Sequence, residues 1–233
     1  MRAPSLRTLA SVAARRGMRM RRFDFVAAYL QGELEAGETV YCLPPPGYEN
    51  ERIGSDGRPM IAKVVKPIYG MSQAGRRWQR TLFPWMKDNG FTQTDGDSCV
   101  FRKVRKDEKG AITDELIVGC YVDDLCVCHG STSDGSLYAE FVQALESRFQ
   151  VEDEGELSDL LGIEFEFKDG HVKLHQKQYI ERLVKTYLPD GVPAKVQKGS
   201  TPCDVNLPLH VANALSSTDV PDASLLKLSL IHI

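Results

Sequence analysis

Asp123 and Asp124 stand side by side between two apolar runs in LIVGCYVDDLCVCHG, residues 116–130. Adjacent carboxylates repel each other, and apolar flanks pull them toward a medium that disfavours their charged form. A divalent cation relieves both problems at once. Mg²⁺ suits this setting because it takes hard oxygen ligands, usually one or two carboxylates completed by substrate phosphates and water. Mn²⁺ has the same taste for oxygen. Holding two ions close together requires a third carboxylate, and Asp24 in RRFDFVAAYL is the candidate. Asp-Asp in a turn is commonplace by itself. Apolar strands on both sides make the pattern far more specific, since an exposed turn does not need them.

These residues have to be positioned by regular elements. Residues 116–130 read as a hairpin whose tip lifts the carboxylates out of a sheet while its strands stay anchored. Asp24 ends a strand over residues 18–25, followed by a short helix or turn over 26–34. Upstream, residues 4–16 predict a helix with Leu6, Leu9, Ala10 and Ala13 on one face and Gly17 as its stop. Residues 40–43 form a strand ended by Pro44, Pro45 and Pro46, residues 49–58 a polar loop, and residues 60–66 another strand. Trp78, Leu82, Trp85 and Met86 follow the helical period over residues 72–89, closed by Gly90. Strands follow at 99–104 and 115–121. Ser133 can cap a helix carrying Leu137, Phe141, Leu145 and Phe149. A second hairpin turns at Asp169-Gly170, and a final amphipathic helix occupies residues 176–188. The expected class is α+β, an antiparallel sheet with its helices packed on one face. Residues 1–188 make one domain, and residues 189–233 a poorly ordered tail.

The bulk numbers agree with an ordinary globular chain: 233 residues, 42% hydrophobic, 26% charged and a net charge of −3. No window holds the ~18 uninterrupted apolar residues of a membrane span. Charge is strongly segregated, however. Residues 1–22 carry seven arginines and no acid, and residues 152–166 carry seven acids and no base. The arginine-rich start suits either a mitochondrial leader or the helix above. Six cysteines without a CxxC pair read as reduced, buried thiols, which points to an intracellular protein.

The Tyr-Val-Asp-Asp hairpin resembles the metal-binding motif of reverse transcriptases, and its surroundings resemble the copia-type retrotransposon enzymes. FDFVAAYLQGELEAGETVYCLPPPGYE is similar to that family's first catalytic segment, and KPIYGMSQAGRRWQRTL to its Gln-Ala-x-Arg-x-Trp segment. GELSDLLGIEFEF and HQKQYIERLV resemble the Leu-Gly-Ile-Glu hairpin and Gln-x-x-Tyr-Ile helix that follow. The likeness runs in collinear order over about residues 6–188. It implies a polymerase palm with partial fingers and RNA-directed DNA synthesis with two Mg²⁺ ions. Asp24, Asp123 and Asp124 match the metal-site aspartates, Asp124 being the weakest ligand, and the backbone carbonyl of Phe25 matches a further ligand. Tyr29 matches the aromatic ring that selects dNTP over rNTP, and a core aromatic is its equally weighted alternative. Gln73 matches a glutamine near the incoming nucleotide. Arg76 and Arg77 are placed to reach phosphate or template, Trp78 to fill the core. The likeness also favours the helix over the leader for residues 4–16.

The implied partners are an RNA or DNA template with its primer, dNTPs, and the integrase and RNase H regions of a Gag-Pol polyprotein. The implied location is a cytoplasmic virus-like particle or the nucleus, with no membrane. The family's proline after Gln-Ala is Gly75 here, and its longer fingers segment falls outside these residues. An inactive remnant or nucleic-acid-binding module is therefore the alternative. The closing LSLIHI reads as a translated sequencing-library end or as a short apolar tail.

Overall fold

A computed structural model describes residues 1–48, 53–54, 57–58 and 60–189. Of the tail expected at 189–233, residues 190–233, LSLIHI included, lie outside the described residues. The chain opens with helix α1 (Ala3–Arg16), which has Pro4 in its first turn and is closed by Gly17 at φ 64°. Its Leu6, Leu9, Ala10 and Ala13 are buried, the face predicted from their spacing. Strand β1 (Arg19–Phe25) buries Met20, Phe23 and Phe25 and leaves Arg21, Arg22 and Asp24 half-exposed, then a 3₁₀ turn follows at Ala28–Gln31. Strands β2 (Val40–Cys42) and β3 (Ala62–Val64) form a separate two-stranded ribbon. Helix α2 (Ala74–Asp88) leads into β4 (Thr92–Gln93), β5 (Val100–Lys106), β6 (Ile112–Tyr121) and β7 (Asp124–His129). Helix α3 (Leu137–Arg148) precedes β8 (Val151–Glu156). Strands β9 (Asp159–Leu160), β10 (Ile163–Lys168) and β11 (His171–His175) make a small three-stranded sheet, and α4 (Lys177–Tyr187) is the last element among the described residues. Met1–Tyr179 form one compact unit, and everything that positions the site lies within it.

The main sheet has six antiparallel strands in the order β4-β5-β6-β7-β1-β8. Helices cover both of its faces, which corrects the one-face expectation. Phe23, Phe25, Leu116, Val118, Leu125 and Val127 point toward α2 and α3. Met20, Ile117, Cys126 and Cys128 point the other way, toward α1 and the β9–β11 sheet. The physical reason is that β6 and β7 are apolar at consecutive rather than alternate positions, so each needs cover on both sides. Gly119 marks the closest approach of α1, since a Cβ there would lie 2.5 Å from the Met1 sulfur and 3.1 Å from Leu9.

Two further details differ from the sequence reading. The cap of α3 is Ser136, whose Oγ accepts the Ala139 N–H at 3.2 Å, and Ser133 sits one turn earlier. The acidic stretch does not read as a strand from propensity, yet it forms edge strand β8 against β1. Cross-strand charge explains it: Arg19 meets Glu156 at 3.0 Å and Arg21 meets Asp153 at 2.6 Å. The arginine-rich start and the acid-rich segment thus neutralise each other within one sheet. Cys42, Cys99, Cys120, Cys126 and Cys128 are free thiols; the last three are buried as expected, whereas Cys42 and Cys99 are half-buried.

Candidate active site

The hairpin of β6 and β7 pairs Tyr121 with Asp124, leaving Val122 and Asp123 as a two-residue turn. Val122 adopts φ 53°, a region that costs a β-branched residue about 1–2 kcal/mol. Gly, Asn or Asp would be the ordinary choice there. Two bonds steady this turn. The Trp78 indole N–H donates to the Val122 carbonyl at 2.6 Å, and the Phe25 N–H donates to the Asp123 carbonyl at 2.8 Å.

Strand β1 lies beside β7 in a register that sets Asp24 opposite Asp124. The three candidate carboxylates therefore come from two adjacent central strands, β1 and β7, and the turn that leads into β7 from β6. Burial pushes the Asp24 carboxyl above its ordinary range, and the charges of Asp124 and Asp123 push it further. Burial likewise raises Asp124, opposed by Arg22. Arg22 Nε and Nη2 both reach Asp124 Oδ1 at 2.9 Å, and Nη1 lies 3.5 Å from Glu154 and Asp159. Tyr69 donates its hydroxyl to Asp123 Oδ2 at 3.2 Å, and burial together with that carboxylate raises the phenol.

The donor set fits a hard divalent cation in part. Asp24, Asp123 and Asp124 supply oxygens whose mutual repulsion a cation would relieve. Among the described residues, no group of three or more His, Cys, Asp or Glu is gathered so as to hold an ion unaided. Mg²⁺ needs only one or two protein carboxylates when substrate phosphates and water complete its shell. The residues present match that half-site, with Asp124 already engaged by Arg22.

The other sequence-predicted residues fall into two groups. Tyr29 is half-buried at the 3₁₀ turn, with its ring 4.4 Å from that of Tyr69. It borders a cleft of about 170 Å³ shared with Gly75, Trp78, Tyr121 and Val122, directly beneath the hairpin tip. The ring of Phe25 is buried against Trp78 at 4.8 Å. Gln73, just before α2, donates to Glu38 at 3.0 Å. Arg76 is exposed on the first turn of α2. Arg77 is buried, its guanidinium paired with Glu35 and with Glu38 at 2.9 Å. Those two acids occupy it, and it does not share Arg76's open surface. Trp78 is 2% exposed, a core residue as expected, but its donor role was not foreseen.

Sequence reasoning missed Arg22, Tyr69, Glu38 and Gln31. Arg22 had a usable signal, because two residues before Asp24 on a strand means the same face. Gln31 had none: it clasps the loop after β1 by donating to the Val26 and Gln150 carbonyls and accepting from the Gln150 N–H, each at 2.8 Å.

A family profile described as "Reverse transcriptase (RNA-dependent DNA polymerase)" matches residues 1–195. The chain is 31% identical over 185 residues to the retrovirus-related Pol polyprotein from transposon TNT 1-94 of Nicotiana tabacum, covering 78% of this chain and 13% of that one. It is 28% identical over 223 residues to the Pol polyprotein from transposon RE2 of Arabidopsis thaliana, covering 95% and 14%. A putative transposon Ty5-1 protein of Saccharomyces cerevisiae is 24% identical over 160 residues, covering 68% and 47%. The chain thus spans only a small part of the two plant polyproteins. No solved structure gives a significant match. No helix among the described residues is long and apolar enough to cross a membrane.

Proposed function

The chain belongs to the reverse transcriptase (RNA-dependent DNA polymerase) family, and from that premise we propose that it carries the catalytic carboxylates for template-directed addition of dNTPs to a primer 3′-hydroxyl. The observation that carries this reading is the register placing Asp24 opposite Asp124, with Asp123 at the turn beside them. The six-stranded sheet is then the palm, and the β2–β3 ribbon belongs to the fingers. Asp24 and Asp123 hold the divalent cations, together with the Phe25 carbonyl. Asp124 contributes least, because Arg22 already satisfies one of its oxygens. When bound, Mg²⁺ or Mn²⁺ supplies the charge that activates the primer hydroxyl and stabilises the departing pyrophosphate.

The remaining roles belong to side chains around this centre. Tyr29, backed by Tyr69, presents a ring where a ribose 2′-hydroxyl would clash. Gln73 and Arg76 border the incoming nucleotide and template from the start of α2. Arg77 serves instead to hold Glu35 and Glu38, and Glu38 in turn orients Gln73. Because much of the rate in phosphoryl transfer comes from positioning, substrate clamps elsewhere in a Pol polyprotein belong to the same activity. The partners are a template–primer duplex, dNTPs, and the integrase and RNase H of that polyprotein, in a virus-like particle or the nucleus.

Primer extension on poly(rA)/oligo(dT) with Mg²⁺ tests the reading, comparing the chain with an Asp123→Asn, Asp124→Asn variant. The reading expects dTTP incorporation that the variant lacks. Equal incorporation by both would sink the metal-site assignment. A Tyr29→Ala variant should incorporate rNTPs more readily, and unchanged discrimination removes the sugar-gate role.

A further inference from the structure

We infer that Trp78 is a positioning residue that fixes the carboxylate-bearing tip through its indole N–H, beyond its part in the core. The inference rests on the metal-site reading above. A buried indole N–H needs an acceptor. Trp78 is 2% exposed, and the acceptor it finds is the Val122 carbonyl at 2.6 Å, one residue before Asp123. Val122 needs the help, since its left-handed backbone is unfavourable for a β-branched side chain. The same indole packs edge-on against Phe25 at 4.8 Å, one residue after Asp24, and against Phe149 at 5.6 Å. One side chain thus touches both segments that carry the carboxylates.

The geometry gives this contact a reach that ordinary core packing lacks. Trp78 sits on α2, the helix that Gln73 and Arg76 introduce. A shift of α2 along its axis would move the nucleotide-facing residues and the hairpin tip together. Trp85, two turns further along the same face of α2, packs on Phe141 at 6.2 Å and Phe149 at 5.1 Å, away from the turn. It provides the internal control for core loss without tip loss. Residues that orient metal ligands typically cost about 10–100-fold in metal affinity when removed.

The test uses the full chain with Trp78→Phe and Trp85→Phe variants. Mn²⁺ binding is followed by the electron-spin resonance of free ion, and amide hydrogen exchange is followed at residues 122–124. Trp78→Phe should weaken Mn²⁺ binding by about tenfold or more and speed exchange at the tip. Trp85→Phe should leave both at the wild-type level. If the two variants match in both measurements, Trp78 is only core and the inference falls. If Phe at position 78 lets the core collapse, benzothienylalanine there keeps the bicyclic ring and removes only the N–H, with the same two expectations. Mn²⁺ binding that Asp123→Asn leaves intact would overturn the metal-site reading instead, and the exchange comparison still decides whether Trp78 holds the tip.

Discussion

Asp24 and Asp124 are direct cross-strand partners on β1 and β7, two like charges held opposite each other by backbone pairing. Like charges placed so are destabilising in a sheet unless something neutralises them. Arg22 does this by direct bonds for Asp124, while it eases Asp24 only through its charge. Asp24→Asn should therefore raise the melting temperature in EDTA at neutral pH while removing any stabilisation by added Mg²⁺. Thermal unfolding with and without Mg²⁺ checks both halves. A lower melting temperature in EDTA would mean that Asp24 is doing structural duty.

On the proposed metal-site reading, Arg22 and a bound cation would compete for Asp124. Arg22→Gln should destabilise the chain by about 1.5–3 kcal/mol, the worth of hydrogen bonds to a charged group. It should also enlarge the rise in melting temperature on adding Mg²⁺, because Asp124 is then free. An unchanged Mg²⁺ response would show that Asp124 takes no part in cation binding.

Asp97 anchors the start of α1 to the loop before β5. Burial alone would raise its carboxyl, but the Ser5 hydroxyl at 2.6 Å and the Arg2 and Cys99 N–H groups bring it down to about 2. A folded pKa below the unfolded value gives stability that is present above the unfolded value and lost as pH falls. The window runs from 3.8 down to about 2. Asp97→Asn should cost on the order of 2 kcal/mol at pH 7, and the gap between variant and wild type should close toward the acid end. Urea unfolding across that pH range measures it.

Gly75 occupies the first turn of α2, where the family has proline. A Cβ there would meet only the Tyr29 hydroxyl, at 3.5 Å, an ordinary contact. Gly75→Ala should stabilise the chain by about 0.5–1 kcal/mol, the helical difference between the two residues. Denaturant unfolding reads the change, and a loss of stability would show that the ring of Tyr29 cannot yield.

Much of this was legible in the sequence because the strongest signals were local. The apolar flanks of Asp123 and Asp124 gave the hairpin, and the spacing of Leu6, Leu9, Ala10 and Ala13 gave α1. The same flanks also held the two-sided burial of the sheet, since Ile117 and Val118 are consecutive and both buried. That signal was present and went unread. Strand β8 was not legible, because Glu152 to Glu156 have no strand character until Arg19, Arg21 and Arg22 stand beside them. Arg77 reads as a phosphate-seeking cation by type. Only the fold reveals that Glu35 and Glu38 hold it.

Burial of β6 and β7 on both faces has one more outcome. Inserting or deleting a single residue in either strand would turn the later side chains of that strand to the opposite face, exchanging the set that faces α1 for the set that faces α2 and α3. Exchanging one apolar residue for another of similar size would do little. The lineage of this hairpin should therefore record changes of letter and almost none of length, so that its spacing outlasts its spelling.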